Sequence, residues 1–170
     1  MKKMIVFLSF VGLISCQESD SVSDFTGNET TYQLQQASAY EVNGTITFKE
    51  KKDGSTLADI YLNGTDGILR YPAHLHLGNI SSPDASVALL LNPVLADNGR
   101  SETLISKLAD ESTVSYKQLI ALEACVKIHL AATGPDRTII LAGGNIGKSS
   151  VNESTSGRTG FSVCGSVNRY

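Results

Sequence analysis

Three histidines carry the clearest chemical signal in this chain. They are the only histidines among its 170 residues, namely His74, His76 and His129. His74 and His76 stand two residues apart, so on a β-strand both side chains project from the same face. Leu75 and Leu77 would occupy the opposite face of that strand, which we expect to be turned toward the core.

A second apolar alternation surrounds the third histidine. Val126, Ile128 and Leu130 alternate with Lys127 and His129, a pattern that predicts a strand with its aliphatic side chains buried and His129 turned outward. If the two histidine-bearing strands are neighbours, the three imidazoles meet on the outside of the sheet. Because outward side chains add little to a core, we expect replacement of any one histidine to leave the fold nearly intact.

A set of three imidazoles would hold a copper or zinc ion. The pattern includes no paired carboxylates, which argues against calcium. Metal affinity is then expected to fall as the pH drops through about 6.5, the ordinary imidazole pKa. The alternative is that the His-x-His pair is simply two solvated side chains.

The elements around these residues read as short strands. Apolar alternation and turn residues predict strands at 42–49, 57–62, 71–77, 87–91, 102–108, 125–131 and 138–146, with a short helical turn near 116–121. Many short strands separated by Gly-rich turns predict an all-β fold, an antiparallel Greek-key β-sandwich or barrel. The ordered domain is expected to span residues 40–147, followed by a C-terminal tail at 148–170.

The N-terminus has the pattern of a secretory signal. Lys2 and Lys3 precede an apolar run that ends at Cys16, and this run is too short for a stable membrane span. Ser15 before the cysteine resembles a bacterial lipobox, so residues 1–15 are read as a signal peptide and Cys16 as the lipidated N-terminus. Residues 16–39, which are polar, are expected to form a flexible tether. The alternative is an ordinary signal peptide with an incidental cysteine.

This N-terminal targeting signal indicates the expected compartment and partners. The protein is placed in a bacterial cell envelope, anchored to a membrane through its N-terminal lipid. The chain has 14 basic and 17 acidic residues, so it lacks the positive charge of a nucleic-acid-binding protein. The protein or small-molecule partner of the domain is left undefined by these features.

Two cysteines remain if Cys16 carries the lipid. An even number in an oxidising compartment predicts one disulfide between Cys125 and Cys164, which would tie the tail to the domain. Two unconnected buried thiols are the alternative, since the sequence does not supply the Cα separation that a bridge requires.

Short motifs in this order resemble those of the chordin-type (CHRD) domain and of Cu/Zn superoxide dismutase. The similarity runs from the Val42-Asn43-Gly44 strand, through His74-Leu75-His76, to Ile128-His129 and the glycine-rich strand that contains Gly143-Gly144. It implies a β-sandwich of CHRD or dismutase type, with His74, His76 and His129 at copper-ligand positions. The resemblance to the dismutase is incomplete, because no fourth histidine is left to bridge copper to zinc. We therefore expect a CHRD-like binding module with a copper or zinc site rather than an enzyme, and a copper-dependent superoxide dismutase is the alternative.

Overall fold

The computed structural model describes residues 23–82 and 85–150. Their main elements are eight β-strands, one short α-helix and one 3₁₀ turn. The strands are β1 (Phe25–Gln36), β2 (Asn43–Lys51), β3 (Thr56–Asn63), β4 (Arg70–Leu77), β5 (Val87–Leu95), β6 (Arg100–Ile105), β7 (Glu123–His129) and β8 (Ile140–Gly147); helix α1 is Tyr116–Leu119 and the 3₁₀ turn is Pro135–Thr138. The all-β antiparallel fold expected from the sequence is confirmed, as is the helical turn. Within the described residues, no helix is long and apolar enough to cross a membrane.

The strands close into one antiparallel barrel. Their order around it is β1-β2-β3-β6-β5-β4-β7-β8. Strands β4, β5 and β6 follow one another as neighbours, and β7 then returns to lie beside β4, which is a Greek-key arrangement. This return places Ala73 opposite Ile128 and His76 opposite Cys125. The two histidine-bearing strands are therefore hydrogen-bonded neighbours, although β5 and β6 separate them in the chain.

The core is made mainly of aliphatic side chains, with Phe48, Tyr71 and Tyr116 as its buried aromatic members. Its largest fully buried members include Phe48, Leu34, Ile46, Ile60, Leu75 and Ile128. Burial of each such side chain contributes about 1.5–3 kcal/mol. The alternation expected in β4 holds at Leu75, which is fully buried, and fails at Leu77, which is 44% exposed. Leu77 is the last residue of β4 and follows a shift in the β4–β5 register between Leu75 and His76.

The first strand corrects an expectation. Residues 25–36 were expected to belong to a flexible tether, yet they form β1 and pair with β2 and β8. Only Tyr32 and Leu34 mark the inward face of β1, which is too few apolar positions to show a period. The strand is held by its backbone ladder and by polar pairs, such as the 2.8 Å hydrogen bond between the hydroxyls of Thr31 and Thr47. The ordered barrel therefore begins well before residue 40.

Smaller differences concern element ends, since β5 continues to Leu95 rather than 91 and β6 ends at Ile105 rather than 108. Strand β8 begins at Ile140 rather than at 138, because the 3₁₀ turn occupies Pro135–Thr138. Helix α1 begins after Ser115, whose hydroxyl accepts from the Gln118 backbone in a capping box. The signal peptide, Cys16 and Cys164 lie outside the described residues.

Candidate metal centre

The three histidines meet on the outer face of the barrel. Each offers a ring nitrogen, and these nitrogens all lie within 4.8 Å of one another. The ring centroids of His74 and His129 are 4.8 Å apart, and those of His76 lie 5.8 Å from His74 and 6.3 Å from His129. The predicted convergence of the three imidazoles is confirmed.

Local irregularities in the strands help to aim the rings. The β4–β5 register shifts between Leu75 and His76, and the β7–β8 register shifts between Ile128 and His129. Pro72, which has no N–H to donate, falls at a third shift, between Tyr71 and Ala73. Such bulges commonly redirect a side chain next to a functional site. Two of the three histidines therefore occupy positions at which the regular pleat is broken.

Two backbone carbonyls fix the orientation of two rings. His76 Nδ1 donates to the carbonyl of Ala85 at 2.7 Å, and His129 Nδ1 donates to that of Arg137 at 2.9 Å. Because a carbonyl only accepts, Nδ1 carries the proton in both rings and Nε2 is left with a free lone pair. Both Nε2 atoms are buried and have no hydrogen-bond partner among the described residues. A histidine that binds a metal through one nitrogen commonly donates from the other in this way.

The site is more enclosed than its outward position predicted. His76 is 8% exposed and Lys127 is 5% exposed. The described residues of the segment after β4, 78–82 and 85–86, lie over this face, and we call them the covering loop. It is closed at its base by the Leu77 N–H, which donates to the Ser86 carbonyl at 2.9 Å. The outer row of β4 and β7 is therefore partly buried, against the expectation that it adds little to burial.

Strand β8 attaches the covering loop to the barrel. The Ile80 N–H donates to Asn145 Oδ1 at 2.7 Å. A Cβ on Gly143 would stand 2.8 Å from the Val126 carbonyl oxygen and 3.0 Å from Ile80 Cδ1, so the missing side chain at Gly143 leaves room for both β7 and the loop. The Lys127 ammonium, on β7, adds a second attachment, because it donates to the Ser82 carbonyl at 3.2 Å.

Burial keeps the imidazoles neutral. Burial, with smaller contributions from the positive charge that His129 and His76 would carry, lowers the pKa of His74 to about 4. Burial also lowers the pKa of His76 and that of His129, and in both the hydrogen bond to a carbonyl partly opposes the shift. Neutral imidazole is the form that binds a metal. At neutral pH no proton has to leave before three nitrogen ligands are available.

The described residues beside this cluster supply no further ligand. No carboxylate or thiol of the described part of the chain belongs to the group. Cys125 lies opposite His76 on the outer face of β7 but outside the ligand set, and burial raises the pKa of its thiol to about 11. On a four-coordinate ion, three nitrogen donors would leave one position open, and the three rings line a cavity of about 430 Å³ together with Arg137 and Thr138.

The sequence pattern predicted the three histidines and missed the residues that enclose them. Asn145 carries a signal that was available, because it is a polar residue in a strand directly after two glycines. Glycines in a strand often mark a close approach of another segment. The carbonyls of Ala85 and Arg137 carry no such signal, because their role depends only on where the loops lie.

The support for a metal site on this barrel is its geometry. Comparison with protein-family models, with curated proteins and with solved structures finds no match to this chain.

Proposed function

We propose that this barrel is a metal-binding module that takes one copper or zinc ion on His74, His76 and His129. The observation that carries the proposal is the pair of buried Nε2 atoms, on His76 and His129, for which the described part of the chain supplies no hydrogen-bond partner. A buried polar atom without a partner costs about 1–3 kcal/mol. A bound ion would satisfy both atoms and draw in the nitrogen of His74.

The donor set supports copper or zinc. Imidazole nitrogen suits both ions, whereas magnesium and calcium take oxygen ligands. A tetrahedral ion with ligands at about 2.0–2.1 Å holds its nitrogens roughly 3.3 Å apart. The present spacing of up to 4.8 Å therefore has to close by about 1.5 Å at most, a change within the reach of small side-chain rotations.

Metal titration tests this function. We expect the full chain to bind one Cu²⁺ or Zn²⁺ in isothermal titration calorimetry. Replacement of any one histidine by alanine should weaken binding more than removal of a group that only hydrogen-bonds a ligand, which costs roughly 10–100-fold in affinity. Leu90→Ala is the matched control, because Leu90 lies opposite His74 on β5 and is 66% exposed. Equal affinities for His129→Ala and the wild type would show that the three rings are not a ligand set.

The proposal also places this module in a cell envelope. The Lys2-Lys3 start, the apolar run and Cys16 support a lipoprotein that resembles CHRD-domain proteins. We expect Cys16→Ser to move the protein from the membrane fraction to the soluble fraction, whereas Cys125→Ser leaves it in the membrane fraction. If the Cys16→Ser protein still partitions fully with detergent, the lipid anchor is wrong.

A copper-dependent superoxide dismutase is the second candidate. The open fourth position and the cationic residues Lys127 and Arg137 that line the cavity favour it, because positive charge draws a small anion toward a site. A redox-active copper ion would supply the electron transfer. Superoxide consumption by the copper-loaded protein, compared with its Arg137→Ala variant, separates the candidates. A binding module shows no copper-dependent rate above that of the His129→Ala variant.

A further inference from the structure

We infer that Lys127 shifts the ion preference of the three-histidine site toward monovalent Cu(I) and away from divalent Cu(II) and Zn(II). This inference rests on the proposed metal site and concerns which ion that site prefers. Lys127 is a specificity-determining residue because its positive charge acts on the ion, although its amine is not a ligand.

The first step is the burial of Lys127. Its side chain is 5% exposed, and its ammonium donates to the Ser82 carbonyl at 3.2 Å. The ion pairs of the described residues involve Lys49, Lys51 and Lys107, so within that part of the chain Lys127 has no carboxylate partner. A buried, unpaired ammonium is costly. A second positive charge placed on this face is therefore disfavoured by repulsion from Lys127.

The second step is its position relative to the rings. Lys127 lies opposite His74 in the β4–β7 ladder, two residues before His129 on the same outward row. It lines the same cavity as the three imidazoles. Its charge reaches the rings, because it contributes to the lowered pKa of His76 and of His129. A charge that opposes a proton on an imidazole also opposes a metal ion bound by that imidazole.

The third step is the scaling of this repulsion with ion charge. At an effective dielectric constant of about 20, Coulomb's law across roughly 10 Å gives about tenfold in affinity for each unit of charge on the ion. A divalent ion is therefore penalised about 100-fold and Cu(I) about tenfold. Three neutral imidazoles from the described residues bring no negative charge that offsets the difference.

Affinity measurements on two neutral variants test the inference. Lys127→Met removes the charge, and replacement of a buried charge by an apolar side chain of similar size is commonly well tolerated. Lys127→Gln also removes the charge but keeps an N–H donor for the Ser82 carbonyl. The control Lys117→Met removes the same charge from an exposed position on α1. The probes are Zn(II), Cu(II) and, under anaerobic conditions, Cu(I), each measured by competition with a chelator of known affinity.

We expect both Lys127 variants to bind Zn(II) and Cu(II) about 100-fold more tightly than the wild type and Cu(I) only about tenfold more tightly. The tenfold change in the Cu(I)-to-Cu(II) ratio equals a fall of about 59 mV in the one-electron reduction potential of the bound copper. Unchanged affinity ratios in both variants would overturn the inference and leave the metal site standing. A ratio that changes in Lys127→Met but not in Lys127→Gln would also overturn it, because the hydrogen bond and not the charge would be responsible. If the wild type binds none of the three ions, the proposed metal site itself fails.

Discussion

The ring of His129 lies 4.8 Å from the ring of His74, centroid to centroid, although strands β5 and β6 separate the two residues in the chain. The contact exists because β7 returns past these strands and pairs with β4. The three-histidine cluster is thus a product of the Greek-key connection. The covering loop and the 3₁₀ turn then complete it, each with one backbone carbonyl that holds one imidazole.

The lowered imidazole pKa values predict how metal binding depends on pH. Because burial lowers the pKa of all three rings, protons compete with the ion only at a lower pH than they would at ordinary histidines, so the fall in affinity should be centred below pH 6.5. Zinc titrations at half-unit steps of pH would show this. A fall in affinity centred on 6.5, the value expected from ordinary histidines, would mean that burial does not control the site.

The same shift predicts a pH-dependent stability of the metal-free protein. The pKa of His74 is about 4 in the folded chain and about 6.5 when unfolded, so between these values the unfolded state binds more protons. Stability is therefore complete above pH 6.5 and is lost as the pH falls toward 4. The loss is about 2 kcal/mol once solvent screening of a half-buried ring is allowed for. The free energy of unfolding, measured in urea at a series of pH values, should depend on pH more steeply for the wild type than for His74→Gln, and only in this window. Parallel curves would contradict the prediction.

The position of the histidines was predictable from the sequence, whereas their surroundings were not. Strand parity places His74 and His76 on one face and turns His129 away from Val126 and Ile128, since side chains alternate in any strand. The pairing of β4 with β7 depends on topology, which a local pattern does not encode. Burial of Lys127 depends in turn on the loop that crosses it, and lysine in an alternating pattern is ordinarily a sign of a solvated face.

Strand β1 escaped prediction for a related reason. Its apolar period consists of Tyr32 and Leu34 only, and the backbone hydrogen bonds that pair it with β2 leave no pattern in the sequence. Polar composition therefore resembled a tether. The structure shows instead that this segment lies between β2 and β8 and closes the barrel.

Asn145 should act on the metal site through the covering loop. In Asn145→Ala the Ile80 N–H loses its acceptor at 2.7 Å, which costs about 1–3 kcal/mol of stability. The loosened loop then holds the Ala85 carbonyl less firmly against His76. Metal affinity should fall about tenfold, as when a group that hydrogen-bonds a ligating histidine is lost. Asn92→Ala is the control, because the Asn92 amide donates to Glu102 at 2.6 Å between β5 and β6. Equal metal affinities in the two variants would exclude a role for the loop.

Truncation tests whether β1 is part of the barrel. A chain that begins at Ser23 should unfold at the same temperature as the full chain. A chain that begins at Ala39 lacks β1, exposes the edges of β2 and β8, and loses Leu34, which is 1% exposed. Removal of one such leucine alone costs about 2–5 kcal/mol, and open strand edges promote aggregation. Thermal unfolding by circular dichroism and size-exclusion chromatography would measure both effects. Equal stability of the two truncated chains would show that β1 adds nothing to the barrel and acts as a tether.

The last prediction concerns the cysteines. Cys125 is fully buried on the outer face of β7, and a bridge to Cys164 would require the two Cα atoms to lie within about 7 Å, which would bring the C-terminal tail to the edge of the metal centre. In a Cys16→Ser background these two cysteines are the only ones left. Maleimide labelling of the unfolded, unreduced chain, read by mass spectrometry, should then add no label, and reduction before unfolding should allow two. In the folded, reduced protein Cys125 should label slowly, because burial raises the pKa of its thiol to about 11 and only the thiolate reacts. Two labels on the unreduced chain would show that the cysteines are separate thiols.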